Sequence, residues 1–200
     1  MSRFDRLAQE WDLKPERVES AKKVSDKLKS LFTLKGMDIL DYGAGTGLVT
    51  FDLCDEARRV VAMDYSTKML QEIDKKAQKA GIDNVHTRHH DMNNEDLPKE
   101  QFDLFISSMT MHHIEDTKGF LTKAKSSLVK GGYVAITDLE LEDGTFHSMG
   151  NEDVAHFGFD TQKLKTLFKE MGLEVVLFEI VEVISKKRDY PIFLIVGKHV

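Results

Sequence analysis

The sequence has few of the residues that cross-link or interrupt a chain, with one cysteine, Cys54, and three prolines among 200 residues. A single cysteine excludes an internal disulfide framework. No apolar run approaches the roughly 20 residues that a membrane span needs, and no charged and then apolar leader opens the chain. We therefore expect a cytoplasmic protein without a membrane span.

An excess of positive charge is also missing, since the net charge is -6 at pH 7. Proteins hold a phosphate backbone with clustered lysine and arginine, and no such patch interleaved with aromatic residues is present. Nucleic acid is therefore not an expected partner. With 41% apolar and 31% charged residues, the composition is that of a folded globular domain.

The first 35 residues lack the alternation of a strand, and their apolar positions follow helical spacing. These positions are Val18, Ala21, Val24, Leu28 and Leu31. We expect residues 1–35 to form a helical appendage or lid, and residues 36–200 to form one α/β domain.

From residue 37 onward, short apolar runs alternate with helical patterns. The predicted strands cover 37–42, 59–64, 84–90, 102–107 and 133–138, followed by a hairpin of 174–184 and 190–197. The predicted helices cover 46–56, 66–80, 117–129 and 161–171. This alternation predicts an α/β, Rossmann-like fold with a seven-stranded, mostly parallel sheet, an antiparallel C-terminal hairpin and helices on both faces.

A glycine-rich turn, Gly43-Ala44-Gly45-Thr46-Gly47, follows the first predicted strand directly and precedes a helix. Glycine suits this position because the turn demands positive φ angles and because a side chain would keep a ligand away from the backbone. Open parallel sheets bind ligands beyond the carboxyl ends of their strands. The turn, with Asp41 two residues before it, is therefore a predicted cofactor site.

Two further carboxylates end the next two predicted strands. Asp64 is placed to accept hydrogen bonds from ribose hydroxyls. We expect Asp91 to accept a hydrogen bond from an adenine amino group while Met92 packs on the ring. Three acceptors at three successive strand ends indicate a nucleoside-containing cofactor.

The spacing of the turn separates two classes of cofactor. The dinucleotide fingerprint G-x-G-x-x-G/A requires Gly or Ala at the position of Leu48. A carboxylate at Asp41 would repel a pyrophosphate, whereas it attracts an ammonium or sulfonium group. Both observations favour S-adenosylmethionine over NAD.

These motifs, with the segments 102–109 and 128–133, resemble those of class I S-adenosylmethionine-dependent methyltransferases. The resemblance is to the small-molecule branch, which includes quinone-biosynthesis and type 11-like methyltransferases. It implies that the amino-acid part of the cofactor is held by Asp41, Gly43, Ala44, Gly45 and Gly47. It implies ribose binding by Asp64 with Tyr65 beside it, adenine binding by Asp91 with Met92, and a methionine portion beside Ser107 and Ser108.

The opening segment, residues 4–12, also resembles the start of many such enzymes, where it often forms a lid over the cofactor. Trp11 would then contact the cofactor, although core packing with Phe4, seven residues earlier, explains the spacing equally well. Residues 107–110 differ from the Asn/Asp-Pro-Pro-Tyr/Phe of enzymes that methylate amino groups of bases or glutamine. Those acceptors are therefore not expected.

Methyl transfer from a sulfonium is an in-line displacement, so a general base is needed only where the acceptor must lose a proton. The candidates beside the expected pocket are His112, His147, His156 and Glu140; for any single histidine, a surface or packing role is the simpler explanation. Because neighbours in an extended segment point opposite ways, at most one of His112 and His113 is expected to face the pocket. No H-E-x-x-H or paired C-x-x-C spacing is present, and no metal is predicted.

The sequence thus predicts a methyltransferase that uses S-adenosylmethionine, acts on a small molecule and releases S-adenosylhomocysteine. An NAD-dependent oxidoreductase is disfavoured by Leu48 and by the absence of a Tyr-x-x-x-Lys pair. A non-catalytic protein that binds S-adenosylmethionine stays open, because every motif binds the cofactor and none requires chemistry. The acceptor and the oligomeric state also stay open.

Overall fold

A computed structural model describes residues 2–147 and 150–200. Its α-helices are α1 (Arg3–Leu7), α2 (Pro15–Leu31), α3 (Leu48–Cys54), α4 (Thr67–Ala80), α5 (Thr117–Ser127) and α6 (Thr161–Glu170). Its strands are β1 (Asp38–Tyr42), β2 (Arg59–Asp64), β3 (Val85–His89), β4 (Phe102–Ser108), β5 (Leu128–Leu139), β6 (Leu173–Ser185) and β7 (Asp189–His199). Short 3₁₀ helices cover Ala8–Leu13 and Met111–His113.

The seven strands form one sheet in the order β3-β2-β1-β4-β5-β7-β6. The first five strands run parallel, and β7 pairs antiparallel with both β5 and β6. The chain order reverses between β1 and β4, which creates a crevice at the carboxyl ends of these two strands. The predicted fold class is confirmed.

Side chains alternate along the strands and supply a core on each face of the sheet. On β1, Leu40 and Tyr42 join a cluster with residues of α5 and α6, including Phe120 and Phe168. Ile39, next to Leu40, joins the opposite cluster with residues of α2, α3 and α4. A parallel sheet covered on both faces exposes only its strand ends to ligands.

The largest boundary error lies at one junction, where α5 ends at Ser127 and not at residue 129, and β5 begins at Leu128 and not at residue 133. Leu128 already pairs with Phe102 on β4, and the register then shifts before Tyr133 pairs with Leu104. Tertiary pairing with β4 therefore outweighs the helical pattern that continues through this segment. Gly131 and Gly132, a pair of residues typical of helix ends, lie within β5.

The N-terminal helices pack closely against the sheet domain. Val24 and Leu28 of α2 are buried in the core cluster shared with β1. Ion pairs also join α2 to β6, from Lys23 to Glu182 at 2.9 Å and from Lys27 to Glu179 at 2.7 Å. The division into residues 1–35 and 36–200 stays a prediction.

Within the described ranges, no helix combines the length and the apolar character that crossing a bilayer would require.

The segment after β5 is anchored by Gly158, which has a φ of +71° and lies against the backbone of Glu140. A Cβ at this glycine would lie 2.1 Å from the Glu140 carbonyl oxygen. We expect Gly158→Ala to lower the free energy of unfolding by at least about 2 kcal/mol, from backbone strain plus this clash. Urea denaturation measures the change.

Gly131→Ala is the matched control, since Gly131 has a φ of +86° and no atom of the described residues lies within 4 Å of the position that a Cβ would take. It should cost only the conformational strain, about 1 kcal/mol. Equal losses in the two variants would contradict the assigned role of the Glu140 contact.

Candidate active site

The glycine turn between β1 and α3 has the backbone conformation predicted for it. Gly43, Gly45 and Gly47 have φ angles of +73°, +56° and +84°, which residues with a Cβ rarely adopt. The amides of Gly43 and Ala44 both donate to the Met63 carbonyl, at 2.8 and 3.1 Å. The turn is therefore fixed to the end of β2.

The glycines of this turn serve different purposes. A Cβ on Gly43 would lie 2.1 Å from Thr110 Oγ1, so Gly43 is required by the loop after β4. A Cβ on Gly47 would lie 3.0 Å from Ile73 and Phe51, so Gly47 is required by helix packing. Gly45 meets only the indole nitrogen of Trp11, at 3.9 Å. Among the described residues, the space beside the turn is therefore least crowded at Gly45, where Trp11 is the nearest neighbour.

Asp64 lies beside Gly45, as predicted. Its carboxylate accepts hydrogen bonds from the amides of Gly45 and Ser66, at 2.8 and 2.7 Å. Burial raises the pKa of Asp64 above its usual value, against the lowering effect of these two bonds. Each carboxylate oxygen retains a free lone pair for a ribose hydroxyl. Tyr65, the next residue, is 58% exposed with its ring 5.9 Å from that of His89, and its contact with a cofactor stays a prediction.

Asp41 has a hydrogen-bond partner within the protein. Its carboxylate is buried and accepts a 2.6 Å hydrogen bond from the Thr50 hydroxyl on α3. Burial raises the pKa of Asp41 to about 6. The expected contact of Asp41 with the cofactor's ammonium group is replaced here by a bond within the protein, so a cofactor role for Asp41 stays a prediction.

Asp91 and Met92 lie at the end of β3, on the predicted side of the crevice. Asp91 caps a turn by accepting hydrogen bonds from Asn93 and Asn94, at 3.0 and 2.7 Å. The Met92 amide donates to the Tyr42 hydroxyl at 3.1 Å, and the Met92 side chain is buried in the core. This burial limits the surface that Met92 offers to an adenine ring, and its predicted packing there stays untested.

Ser107 and Ser108 end β4, next to β1 across the crevice. Ser108 accepts a hydrogen bond from Thr137 at 2.8 Å. Ser107 is fully buried, and its hydroxyl has no hydrogen-bond partner among the described residues. Buried hydroxyls are normally paired, so Ser107 is a polar group free to meet a ligand.

The N-terminal segment lies over the glycine turn. Asp12 accepts a 2.5 Å hydrogen bond from the Thr46 hydroxyl and forms an ion pair with Lys76. The Lys76 ammonium also donates to the Thr46 carbonyl, at 2.7 Å. Asp5 accepts a 2.6 Å bond from Ser66, the residue that caps α4. Trp11 lies beside Gly45, with its indole nitrogen 3.9 Å from the position that a Cβ on Gly45 would take, and the role of this segment as a lid stays a prediction.

The residues of this crevice fit the predicted cofactor. Gly45 leaves its backbone approachable, Asp64 retains acceptor capacity for a diol, and the buried hydroxyl of Ser107 lacks a partner among the described residues. Gly45, Asp64 and Trp11 would hold S-adenosylmethionine under the lid, and the cofactor would supply an electrophilic methyl group.

A second group of side chains lies in the loop after β4. His112 is buried; its Nδ1 lies 2.8 Å from one oxygen of Asp138, and its amide donates to the other oxygen at 3.1 Å. The bond from Nδ1 directs Nε2 away from Asp138. His112 Nε2 is buried and makes no hydrogen bond to any residue in the described ranges.

His113 and His147 lie against His112. Their ring centroids are 4.0 and 5.1 Å from that of His112. Burial lowers the pKa of both His113 and His147 to about 4, and the neighbouring His112 contributes to the lowering. Both are therefore neutral at pH 7. His113 Nδ1 bonds the Asp153 carbonyl, and Phe4 of α1 meets the His113 ring edge-on, with ring centroids 5.2 Å apart.

The structure brings together only two of the four predicted base candidates, His112 and His147. The His156 ring bonds the Ile114 carbonyl at 2.9 Å, which commits it to the loop backbone. Glu140 is held by backbone pairing with Phe159, and it is not part of the histidine group found among the described residues. Neither residue is supported as a base.

Two members of the group were missed from the sequence. His113 joins His112 because residues 111–113 form a 3₁₀ turn, so the expected opposite orientation of extended neighbours is wrong. Asp138 lies at the end of β5, the strand next to β4, and its sequence position indicated only a strand terminus. The pairing could have been predicted from the strand order, because residues that follow the carboxyl ends of adjacent parallel strands, here β4 and β5, lie close together.

Comparison with known proteins identifies the chain's relatives. The family model described as a methyltransferase domain matches residues 33–193. The chain belongs to this methyltransferase-domain family. An uncharacterised methyltransferase of Schizosaccharomyces pombe is 30% identical over 152 residues, which is 69% of this chain and 54% of that protein. A ubiquinone biosynthesis O-methyltransferase of Nitrobacter winogradskyi is 26% identical, over 70% of this chain and 59% of that protein.

This methyltransferase domain thus spans little more than half the length of the curated relatives it matches. Among solved structures, a SAM-dependent methyltransferase from Aquifex aeolicus has a TM-score of 0.73 with 23% identity, covering 98% of both chains. A [4+2]-cyclase has a TM-score of 0.72 with 14% identity, covering 88% of this chain and 79% of that one. Membership of the family confirms the predicted class and supports S-adenosyl-L-methionine as the cofactor.

The raised pKa of Asp41 gives the methyltransferase domain a pH-dependent stability. A folded-state pKa of about 6 lies above the usual value of 3.8, so the folded protein binds this proton more tightly than the unfolded chain does. Asp41 therefore destabilises the fold as the pH rises from 4 towards 7. Asp41→Asn keeps an acceptor for Thr50 and removes the titrating group. Compared with wild type, the change in its free energy of unfolding from pH 4 to pH 7 should be more favourable by about 2 kcal/mol.

Urea denaturation at the two pH values measures this difference. Asp83→Asn, at a position outside the core, is the control and should leave the pH dependence of the wild type unchanged. The same pH dependence in Asp41→Asn as in wild type would disprove the buried proton at Asp41.

Proposed function

We propose that this protein transfers a methyl group from S-adenosylmethionine to a small-molecule acceptor and releases S-adenosylhomocysteine. One observation carries the proposal. The Thr110 hydroxyl donates to the Gly43 carbonyl at 3.4 Å, and His112 follows two residues later with an Nε2 that has no partner among the described residues. The cofactor turn and a group suited to an acceptor are therefore joined by one short loop.

The lid supports in-line transfer by covering both halves of the site. Phe4 contacts Trp11, with ring centroids 6.0 Å apart, and also contacts His113. Trp11 in turn lies above Gly45. A cover that spans donor and acceptor sides excludes water and holds the two reactants in line, which supplies most of the catalysis of a displacement at a methyl carbon.

We assign His112 as the group that takes the acceptor's proton. Asp138 accepts from Nδ1, which leaves the Nε2 lone pair as the basic atom and stabilises the imidazolium after proton transfer. His147 binds protons too weakly for this role, since its pKa is lowered to about 4. His147 instead forms part of the acceptor pocket.

The charge around the pocket favours an acceptor with an anionic group. A cavity of about 290 Å³ beside His147 is also lined by Thr145, Phe146, Lys186 and Lys187. The Lys186 ammonium lies 3.8 Å from the centre of the Phe146 ring and donates to the Phe146 carbonyl at 3.0 Å. Two ammonium groups at the rim favour a carboxylate or phosphate.

The alternatives receive no support from the geometry. NAD-dependent oxidation would require room for a pyrophosphate at a turn whose Gly43 side is filled by Thr110. A protein that only binds the cofactor does not explain why the Nε2 of His112 is buried, oriented and unpaired among the described residues. The likeness to a [4+2]-cyclase shows that the fold alone does not fix the reaction. The cytoplasmic location stays a prediction.

Cofactor binding has a built-in reporter, because Trp11 is the sole tryptophan and lies above Gly45. We expect S-adenosylmethionine to change the Trp11 emission with a saturable, one-site profile, and NAD to leave it unchanged. Gly45→Val, which puts a branched side chain into the space beside the turn, should weaken S-adenosylmethionine binding at least tenfold. A response to NAD alone would overturn the proposed cofactor.

Catalysis is tested by screening phenols, thiols, amines and hydroxy acids, with and without a carboxylate, for release of S-adenosylhomocysteine. With an active acceptor, Asp138→Asn should lower kcat by about 10²-fold or more, because the amide no longer stabilises the imidazolium. KM should change little, and the dependence of kcat on a basic group should disappear from the pH profile.

His156→Gln is the contrasting variant, since the His156 ring is committed to the Ile114 carbonyl. We expect it to retain kcat within threefold of wild type. Equal losses in Asp138→Asn and His156→Gln would sink the assignment of His112 as the base.

A further inference from the structure

We propose that His112, His113 and His147 bind a divalent transition-metal ion, Zn²⁺, and leave one coordination position for an oxygen of the acceptor. Each histidine offers one ring nitrogen, and these nitrogens all lie within 4.8 Å of one another. Three imidazoles with an open fourth position form the ligand set of catalytic zinc sites. Binding of the ion is independent of the proposed function; its role in the reaction rests on it.

Two of the ring nitrogens lack a protein partner. His112 Nε2 and His147 Nδ1 are buried and make no hydrogen bond within the part of the chain that the structure describes. Buried side-chain nitrogens are normally paired, because leaving one unpaired forfeits its bonds to water. Two such atoms on neighbouring rings indicate a shared binding partner. A cation fits, because it accepts a lone pair from each nitrogen.

The other nitrogens of the group are arranged as metal-binding imidazoles require. The carboxylate of Asp138 is hydrogen-bonded to Nδ1 of His112, and the Asp153 carbonyl is hydrogen-bonded to Nδ1 of His113. A partner of this kind takes the ring proton, fixes the tautomer and turns the second nitrogen towards the ion. The carboxylate on His112 also increases the basicity of the ligating nitrogen.

The donor set selects the class of metal. Imidazole nitrogen suits Zn²⁺, Cu²⁺, Ni²⁺ and Fe²⁺, whereas Mg²⁺ and Ca²⁺ need oxygen ligands. Tetrahedral Zn–N bonds of about 2.0–2.1 Å bring ligand nitrogens to about 3.3 Å from one another. A pair of nitrogens at the 4.8 Å limit would therefore need to converge by about 1.5 Å, through side-chain rotations of the histidines.

The bound ion gives the acceptor a defined chemistry. An acceptor hydroxyl that coordinates Zn²⁺ loses its proton to solvent and stays on the ion as an oxyanion. That oxygen forms a bond to the methyl carbon as the carbon–sulfur bond breaks, and the electron pair leaves with neutral S-adenosylhomocysteine. The ion occupies Nε2 of His112, so His112 acts as the proton acceptor only in protein without Zn²⁺, and in the Zn²⁺-bound protein the ion generates the oxyanion.

The test uses the full chain, stripped of metal with EDTA and titrated with Zn²⁺ in a calorimeter, and then with Co²⁺ while its absorption spectrum is recorded. We expect one ion per chain and a Co²⁺ spectrum of low coordination number. His113→Ala and His147→Ala should each weaken Zn²⁺ binding at least tenfold, and Asp138→Asn about 10–100-fold. His86→Ala, at an exposed position on β3, should bind as wild type does.

Circular dichroism and the Trp11 response to S-adenosylmethionine establish that each variant is folded. No Zn²⁺ binding by wild type, or unchanged binding in both folded His113→Ala and His147→Ala, would overturn the metal site. Methyl transfer by EDTA-treated protein without Zn²⁺ binding would overturn it while leaving the proposed function intact. One-site Zn²⁺ binding that depends on the three histidines would support it even if every acceptor in the screen failed.

Discussion

The buried carboxylate of Asp138 is the constraint on which the acceptor side depends. Burying a carboxylate away from water costs several kcal/mol of folding free energy unless its oxygens accept hydrogen bonds. Asp138 meets this need with three donors: the His112 amide, the His112 ring at Nδ1 and the Leu139 amide. Because the first two belong to the loop after β4, satisfying the charge fixes that loop to the end of β5. The positions of His113 and of the chain around residue 155, whose amide donates to the His112 carbonyl, follow from it.

The same loop also sets the donor side, because Thr110 lies against Gly43. One short connection therefore fixes the separation of the two halves of the site, and the N-terminal segment covers both. Its contacts differ in kind at the two ends. Asp12 and Asp5 accept hydrogen bonds from the Thr46 and Ser66 hydroxyls, which hold the segment beside the glycine turn, while the ring of Phe4 meets His113. If the proposed lid moves, a few partly exposed bonds would let it open at modest cost, which the proposed exchange of cofactor and product requires.

Local patterns predicted the sheet, its hairpin and the cofactor crevice, because the glycine turn and Asp64 each follow a strand whose apolar run is visible in the sequence. The hydrogen bond of Asp41 could not be predicted from such patterns, because its partner is Thr50 on the following helix. The histidine group depends on contacts between separate loops: Asp138 lies 26 residues from His112, and a 3₁₀ turn replaces the extended segment that was assumed. Spacing along the chain carries no information about such a turn, so Asp138 and His113 were missed.

The packing of Thr110 against Gly43 has a consequence for how this sequence diverges. The first glycine of the turn is fixed by a side chain of the protein itself, because the methyl and hydroxyl of Thr110 fill the space that a Cβ would need. Drift at the two positions is therefore coupled, and a larger residue at one requires a smaller one at the other. If Gly43 is retained among homologues, contact with the cofactor is therefore not the only reason. Packing against the loop that carries the histidines constrains the same position.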